Sequence, residues 1–267
     1  MAVEKRKPIM NTFKKPLHVD LNSDMGEGFG AYRMGDDEAI LNIVSSANVA
    51  CGFHAGDPEI MAHTFSMARE RGVAVGAHPG FPDLWGFGRR IIPHSTGEIE
   101  RLVAYQIGAA EALSRYARHP ITYVKAHGAL GNLTQADHDV ATAIARAIKA
   151  VNPDLVCMTF AGALMQKVAS EMGLRTCCEV FADRAYDENG HLVPRKVPGS
   201  VLHNAQEAAA RMLRMVEAGA IETVTGRMLP VPIDTICVHS DTPGAIEMAA
   251  EVRHVLENAG VTIKSFV

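Results

Sequence analysis

Leu17-His18-Val19-Asp20-Leu21-Asn22-Ser23-Asp24-Met25-Gly26-Glu27-Gly28-Phe29-Gly30 opens as a short apolar run, turns polar and ends in glycines. That order describes a buried strand delivering side chains to a loop at its carboxyl end. The pattern recurs down the chain. Runs at 17–21, 47–51, 73–77, 121–125, 155–159, 176–181 and 235–238, with another at 261–264, read as strands rich in small or β-branched residues. Segments of helical period separate them and predict helices near 57–71, 95–118, 134–150, 161–172, 204–219 and 242–258. Asp57-Pro58 and Thr242-Pro243 mark helix starts, and Ser95 with Glu98, Thr134 with Asp137 and Asn204 with Glu207 have the spacing of capping boxes.

Strand and helix in alternation imply βα units around a parallel sheet. Seven or eight such units in one (β/α) barrel spanning 17–267 is the economical architecture, with a doubly wound open sheet as the alternative. Residues 1–16, which include Lys5, Arg6, Lys7, Lys14 and Lys15, read as a flexible leader without the apolar core of a signal peptide. One segment, 185–200, breaks the alternation. Its Asn189-Gly190 pair, two prolines and charges predict a hairpin or excursion loop beside the site.

Composition narrows the function classes. A net charge of −4 offers no general attraction to nucleic acid or anionic lipid, so a small-molecule partner fits better. All five cysteines fall in apolar runs and none forms a CxxC pair, which suits reduced thiols and a cytoplasmic setting. No apolar stretch approaches the length that crosses a bilayer.

The chemistry gathers where the strands end. His54, His78, His127 and His239 each follow a candidate strand and each precede a small residue, glycine or proline. One such histidine is as easily structural as catalytic; four at one mouth point to an active site. Strand alternation puts Asp20, Asn22 and Asp24 on one face. Lys125 shares a face with His127, and Glu179 sits in so apolar a run that it requires a partner. Asp183 and Arg184 follow it. The Asp83–Arg90 loop carries the only tryptophan and an Arg89-Arg90 pair able to clamp a carboxylate or phosphate. Gly26-Glu27-Gly28-Phe29-Gly30 lacks the lysine of a P-loop, so its glycines are read as loop-forming.

At these residues the sequence resembles the LamB/YcsF family. The segments that carry the resemblance are DLNSDMGEGFG, SSANVACGFHAGDP, GAHPGFPDLWGFGRR, VKAHGALGN, EVFADRAY and CVHSD, in order and across nearly the whole chain. Ser23 and Gly131 depart from the family's common cysteine and tyrosine. Ser23 thereby argues against an essential nucleophile there, and Gly131 would widen the pocket. The resemblance implies a distorted barrel related to polysaccharide deacetylases and glycoside hydrolases. It also implies ATP-dependent opening of 5-oxo-L-proline to L-glutamate by the A component of a 5-oxoprolinase that includes subunits B and C, with ATP, and Mg2+ beside it, held here or by a partner. A homo-oligomer is compatible with the same reading.

On that basis Asp20, Asp24 and His54 are expected to move protons and activate water, and Lys125, His127 and Arg184 to stabilise developing negative charge, with Glu179 completing the catalytic set. Asn22, Asn48, His78, Arg89, His239 and Asp241 are expected to bind substrate. Two rivals stand beside this reading. In one, Asp24, His54 and His78 hold a divalent metal for a hydrolase or deacetylase of a carbohydrate or amide. In the other, the chain is a non-catalytic ligand-binding subunit.

Overall fold

The computed structural model describes residues 17–239 and 244–267. Its elements in chain order are β1 (His18–Met25), α1 (Asp37–Ile40), β2 (Ser46–Ala50), α2 (Pro58–Arg71), β3 (Ala74–His78), α3 (Thr96–Tyr116), β4 (Tyr123–Lys125), α4 (Gly128–Leu133), α5 (His138–Val151), β5 (Val156–Phe160), α6 (Leu164–Glu171), β6 (Thr176–Phe181), α7 (Ala205–Ala218), β7 (Ala220–Glu222), β8 (Met228–Pro230), β9 (Thr235–Cys237), α8 (Ala245–Asn258) and β10 (Thr262–Ile263).

Strands β1 to β6 and β9 run parallel in that order, and β9 pairs back to β1 through Asp20–Thr235 and Asn22–Cys237, so seven strands close a barrel. Closure excludes the open doubly wound sheet. The eighth expected strand survives only as β10, two residues lying beside the start of β1. The long interval between β6 and β9 holds α7 and an antiparallel β7–β8 hairpin. Hence 185–200 forms no hairpin of strands: only isolated bridges join Arg184 to Val201 and Tyr186 to Leu192.

Local chemistry sets the helix ends. Asp57 accepts from the Ile60 amide and precedes Pro58 at the first helical position, while Arg69 and Arg71 oppose the negative end of α2. Ser95 and Glu98 form the reciprocal capping box of α3. Asn204 accepts from the Glu207 amide at α7. Thr134 is not the cap its spacing suggests: its hydroxyl donates to the Gly131 carbonyl at the end of the short α4, and Asp137 itself caps α5. Thr242-Pro243 and the expected leader lie outside the described residues.

The outward faces of the strands and the inward faces of the helices share one core, in which Leu21, Val49, Val75, Ile107 and Ile144 are fully buried. Inside the barrel the packing is different. Tyr123, Val156, Met158 and Cys177 form a separate cluster against Phe266, which closes the amino-terminal end. Above this plug the interior becomes polar, and its side chains rise toward the carboxyl ends of the strands.

Candidate active site

At the centre of the barrel, Lys125 Nζ lies 2.9 Å from Asp24 Oδ1 and 2.8 Å from Glu179 Oε1. These charges come from β4, β1 and β6, and all three are buried. Burial alone would push the lysine down, but Asp24, Cys237 and Glu179 outweigh it and hold Lys125 well above the ordinary lysine range. Burial likewise pushes Asp24 up, and His78 with Lys125 overcomes it, so the carboxyl is held well below the usual range. Glu179 keeps the upward push of burial, only partly offset by Lys125. Asn48 donates to Asp24 at 2.8 Å and to Asn22 at 2.7 Å, and Tyr123 donates to Asn48, which locks the layer beneath the charges.

Three imidazoles stand beside Asp24. His78 Nε2 lies 3.4 Å from Asp24 Oδ2 and 3.0 Å from His127 Nδ1. The outer nitrogens face carbonyls: His78 Nδ1 meets Lys125 O at 2.8 Å, and His127 Nε2 meets Phe87 O at 2.8 Å. A carbonyl only accepts, so each of those nitrogens carries its proton. His54 stacks on His127 with centroids 3.6 Å apart and planes 3° from parallel. Burial first, then His127 and His78, hold His54 well below the usual histidine range, so it is neutral. Burial also lowers His127.

The room for this stack is made by glycine. A Cβ on Gly80 would lie 2.7 Å from His54 Nδ1, and one on Gly88, whose φ is +62°, would lie 2.7 Å from His54 Cβ and 2.8 Å from His127 Cδ2. Phe87 itself has φ 53°, an unusual left-handed conformation for a phenylalanine, which aims its carbonyl at His127.

Across the mouth, Asp183 accepts from His239 Nδ1 at 2.8 Å, and burial is outweighed by His239, so Asp183 is held below the usual carboxylate range. The other nitrogen of His239 faces Arg195 at 3.5 Å. Arg184 donates to Val193 O, fixing the 193–196 segment. Buried Arg211 of α7 donates to the carbonyls of Phe181, Ala182 and Arg184, so the charged turn after β6 is clamped from behind. Between the two sides lies a cavity of about 530 Å³. Its lining brings Asp24, His78, Lys125 and His127 together with Arg89, Arg184, Arg195, Lys196 and His239. Trp85, four residues before the cavity-lining Arg89, projects into solvent, 95% exposed.

The expected ring is therefore assembled in large part, with corrections in depth. Asp20, Asn22 and Asp24 do share the inward face, but Asp20 lies four residues, about 13 Å, below Asp24. It is spent on the hydroxyls of Ser45, Ser46 and Thr235, and burial pushes it up to about 6. It lies below the mouth and does not line the cavity. Asn22 and Asn48, expected to touch substrate, are fully buried below the cavity, where Asn22 donates to Thr235. Arg89 reaches the cavity, whereas Arg90 pairs with Asp83 in its own loop. Asp241 lies outside the described residues. Ser23 donates to Val238 O as a structural hydroxyl. Gly131 does not line the cavity, because the Ala126 carbonyl would stand 2.5 Å from its Cβ.

Four contributors are not visible in the sequence pattern. Glu27 reads as a loop residue because glycines flank it, yet its Oε1 is 3.7 Å from His54 Nε2 and 3.9 Å from His127 Nδ1. Its place three residues beyond Asp24, at the same strand end, is the available signal. Phe87, Arg195 and Arg211 give none, since each acts through tertiary contacts alone.

A model of the LamB/YcsF family matches residues 19–267. The chain is 59% identical to the 5-oxoprolinase A component of Gluconobacter oxydans (strain 621H), over 92% of this chain and 97% of that one. It is 57% identical to the protein of the same name from Azorhizobium caulinodans, over 93% and 98%. Among solved structures, a lactam utilization protein from Thermus thermophilus superposes with a TM-score of 0.89 at 46% identity, covering 94% of this chain and all of that one. A GH113 beta-1,4-mannanase shares the barrel alone, at 10% identity and a TM-score of 0.50, over 90% of this chain and 99% of that one.

Proposed function

Because the chain belongs to the LamB/YcsF family, we propose that it is the lactam-opening A component of an ATP-dependent 5-oxoprolinase, working with subunits B and C. The observation that carries this reading is a cavity whose lining combines acid–base side chains with Arg89, Arg184, Arg195 and Lys196. A substrate that is a carboxylate, and that becomes a phosphate ester during the reaction, suits such a cavity. Arg89, Arg184, Arg195 and Lys196 supply charge for the carboxylate and the phosphoryl group, with the arginines offering two-pronged contacts.

The chemistry follows from the stability of a five-membered lactam. Transfer of the terminal phosphoryl group of ATP to the amide oxygen makes the ring carbon a strong electrophile and releases ADP. Water then adds to that carbon and the ring C–N bond breaks, with the nitrogen leaving as an amine that needs a proton. A second water frees phosphate from the resulting acyl phosphate, giving L-glutamate. The histidines beside Asp24 supply the group that takes the proton of the attacking water, and neutral His54, whose ring nitrogens make no hydrogen bond, is the one we assign to it. Lys125, which also lines the cavity, balances the negative charge of the phosphoryl group carried by the amide oxygen. Glu179 keeps that lysine charged and aimed, a positioning role.

ATP, with Mg2+, enters as co-substrate; the chain has no P-loop, so subunits B or C hold the nucleotide during activation. The five cysteines are free thiols, and no helix among the described residues is long and apolar enough to cross a membrane. The cytoplasm, where ATP and reduced thiols coexist, is the proposed setting.

The test measures 5-oxoproline-dependent release of phosphate and glutamate by the chain alone and then with subunits B and C. Turnover is expected only in the mixture, and Asp24→Asn or His127→Ala is expected to abolish it while circular dichroism stays native. Near-normal turnover by either variant would remove these residues from the reaction. Absence of glutamate from the complete mixture would sink the reading altogether.

A further inference from the structure

Two nitrogens that face each other define a problem. The carbonyls of Lys125 and Phe87 fix the protons of His78 on Nδ1 and of His127 on Nε2. The remaining nitrogens, His78 Nε2 and His127 Nδ1, then turn lone pairs toward one another across 3.0 Å. Two lone pairs at that distance repel unless a cation lies between them. A shared proton would satisfy this pair, but it would not account for what surrounds it.

Beside the pair, Asp24 Oδ2 lies 3.4 Å from His78 Nε2 and adds a third electron-rich atom, and two further donors follow. Glu27 Oε1 approaches to 3.9 Å of His127 Nδ1, and His54 Nε2 lies 3.7 Å from the same carboxylate oxygen. One ligand atom from each of Glu27, His54, His78 and His127 falls within 4.8 Å of all the others. Tetrahedral coordination with bonds of about 2.0–2.1 Å places donors about 3.3–3.4 Å apart, inside the spread observed here. His54 is only 1% exposed, and neither of its ring nitrogens has a hydrogen-bond partner. Buried imidazole nitrogens are ordinarily satisfied, so this ring lacks a partner that the fold itself does not supply.

We propose that Glu27, His78, His127 and His54 form a binding site for one divalent transition-metal ion. Three imidazoles and one carboxylate favour Zn2+ or Co2+ over Mg2+. The two carbonyls act as the outer supports that orient metal-bound histidines, and the strained backbone at Phe87 serves to present one of them. Glu27, His78 and His127 anchor the ion. His54, now stacked flat on His127, turns its ring to become the fourth ligand. The set expected from sequence, Asp24 with His54 and His78, is thereby revised: Asp24 Oδ1 holds Lys125 and Asn48, and its Oδ2, 3.4 Å from His78 Nε2, stands beside the group of four rather than in it. A second cluster of Asp24, Cys237 and His239 is likewise occupied, since Lys125 lies 3.3 Å from Cys237 Sγ and His239 is held by Asp183.

The experiment titrates chelator-treated, full-length chain with Co2+ and then Zn2+, without substrate or partner subunits. One Co2+ per chain is expected, with the intense visible absorption of a four-coordinate site that Zn2+ abolishes. Glu27→Gln and His54→Ala are each expected to weaken Co2+ binding at least about tenfold. Should Glu27→Gln fail to fold, His54→Ala, which removes a ring that makes no hydrogen bond, carries the comparison. A weak spectrum of water-coordinated Co2+, or variants that bind as tightly as the natural chain, would overturn the site. Because the readout needs no lactam, a failure here and a failure of the 5-oxoprolinase reading are separate results.

Discussion

Lys125 and Glu179 form a 2.8 Å ion pair inside the barrel, with Asp24 a further 2.9 Å contact on the same ammonium. The triad is two buried carboxylates around one buried cation, so its net charge is negative at the floor of the cavity. Removing the cation is therefore far more costly than removing one of the acids. Lys125→Met is expected to destabilise the fold by about 3–5 kcal/mol, and Lys125→Met with Glu179→Gln to recover a large part of the loss. Denaturant midpoints of the three proteins check this. A double variant no more stable than the single one would mean that the pair is not coupled.

Asp20 carries a pH signature. Its folded value, about 6 against 3.8, is raised chiefly by burial, so its contribution to stability is complete below about pH 4 and is lost as pH rises through 6. The lost portion is on the order of 3 kcal/mol. Asp20→Asn keeps an acceptor for Ser45 and Ser46, turns an amide donor toward Thr235 and cannot ionise. Thermal midpoints of both proteins between pH 4 and 8 should diverge in favour of the variant as pH rises, then run parallel above about 7. A constant difference across that range would refute the assignment.

Gly88 is the hinge on which the histidine stack depends. Alanine there would occupy a left-handed backbone and press on both His54 and His127. Gly88→Ala is expected to cost about 1–3 kcal/mol and to lower lactam turnover by more than the loss of folded protein explains. Turnover normalised to folded chain separates the two effects.

The cationic side chains of the cavity should act in binding more than in chemistry. Arg184→Lys keeps the charge and loses the planar fork, so KM for 5-oxoproline or for ATP is expected to rise about tenfold or more with a smaller change in kcat. Steady-state kinetics of the complex with subunits B and C check it. An unchanged KM for both would place Arg184 outside substrate contact.

The strand ends are legible in the sequence because a βα unit writes its chemistry in one place: an apolar run, then polar residues and a glycine. His54, His78, His127 and His239 can be grouped on that basis, and they do gather around one mouth. What period-2 alternation does not encode is height. Asp20, Asn22 and Asp24 share a face, yet a rise of about 3.3 Å per residue separates a buried floor from a reactive rim. The short elements are hidden for a related reason. Four residues in α1 and three in β7 are too few to display a period, and Thr134 imitates a helix start because it closes α4. Glu27 is masked among glycines because its partners, His54 and His127, come from other strands.

Trp85 has a consequence of its own. It is the only tryptophan in the chain and stands almost wholly in water, in the loop whose Arg89 lines the cavity. All indole fluorescence of the isolated protein therefore originates from one point, two residues from Phe87 and four from Arg89. The emission should be that of a hydrated indole, readily quenched by iodide. Any partner that seats itself over the mouth would shift it to the blue and shield it, so assembly can be followed optically without a label, while closure of the Asp83–Arg90 loop on a small ligand would register at the same wavelength.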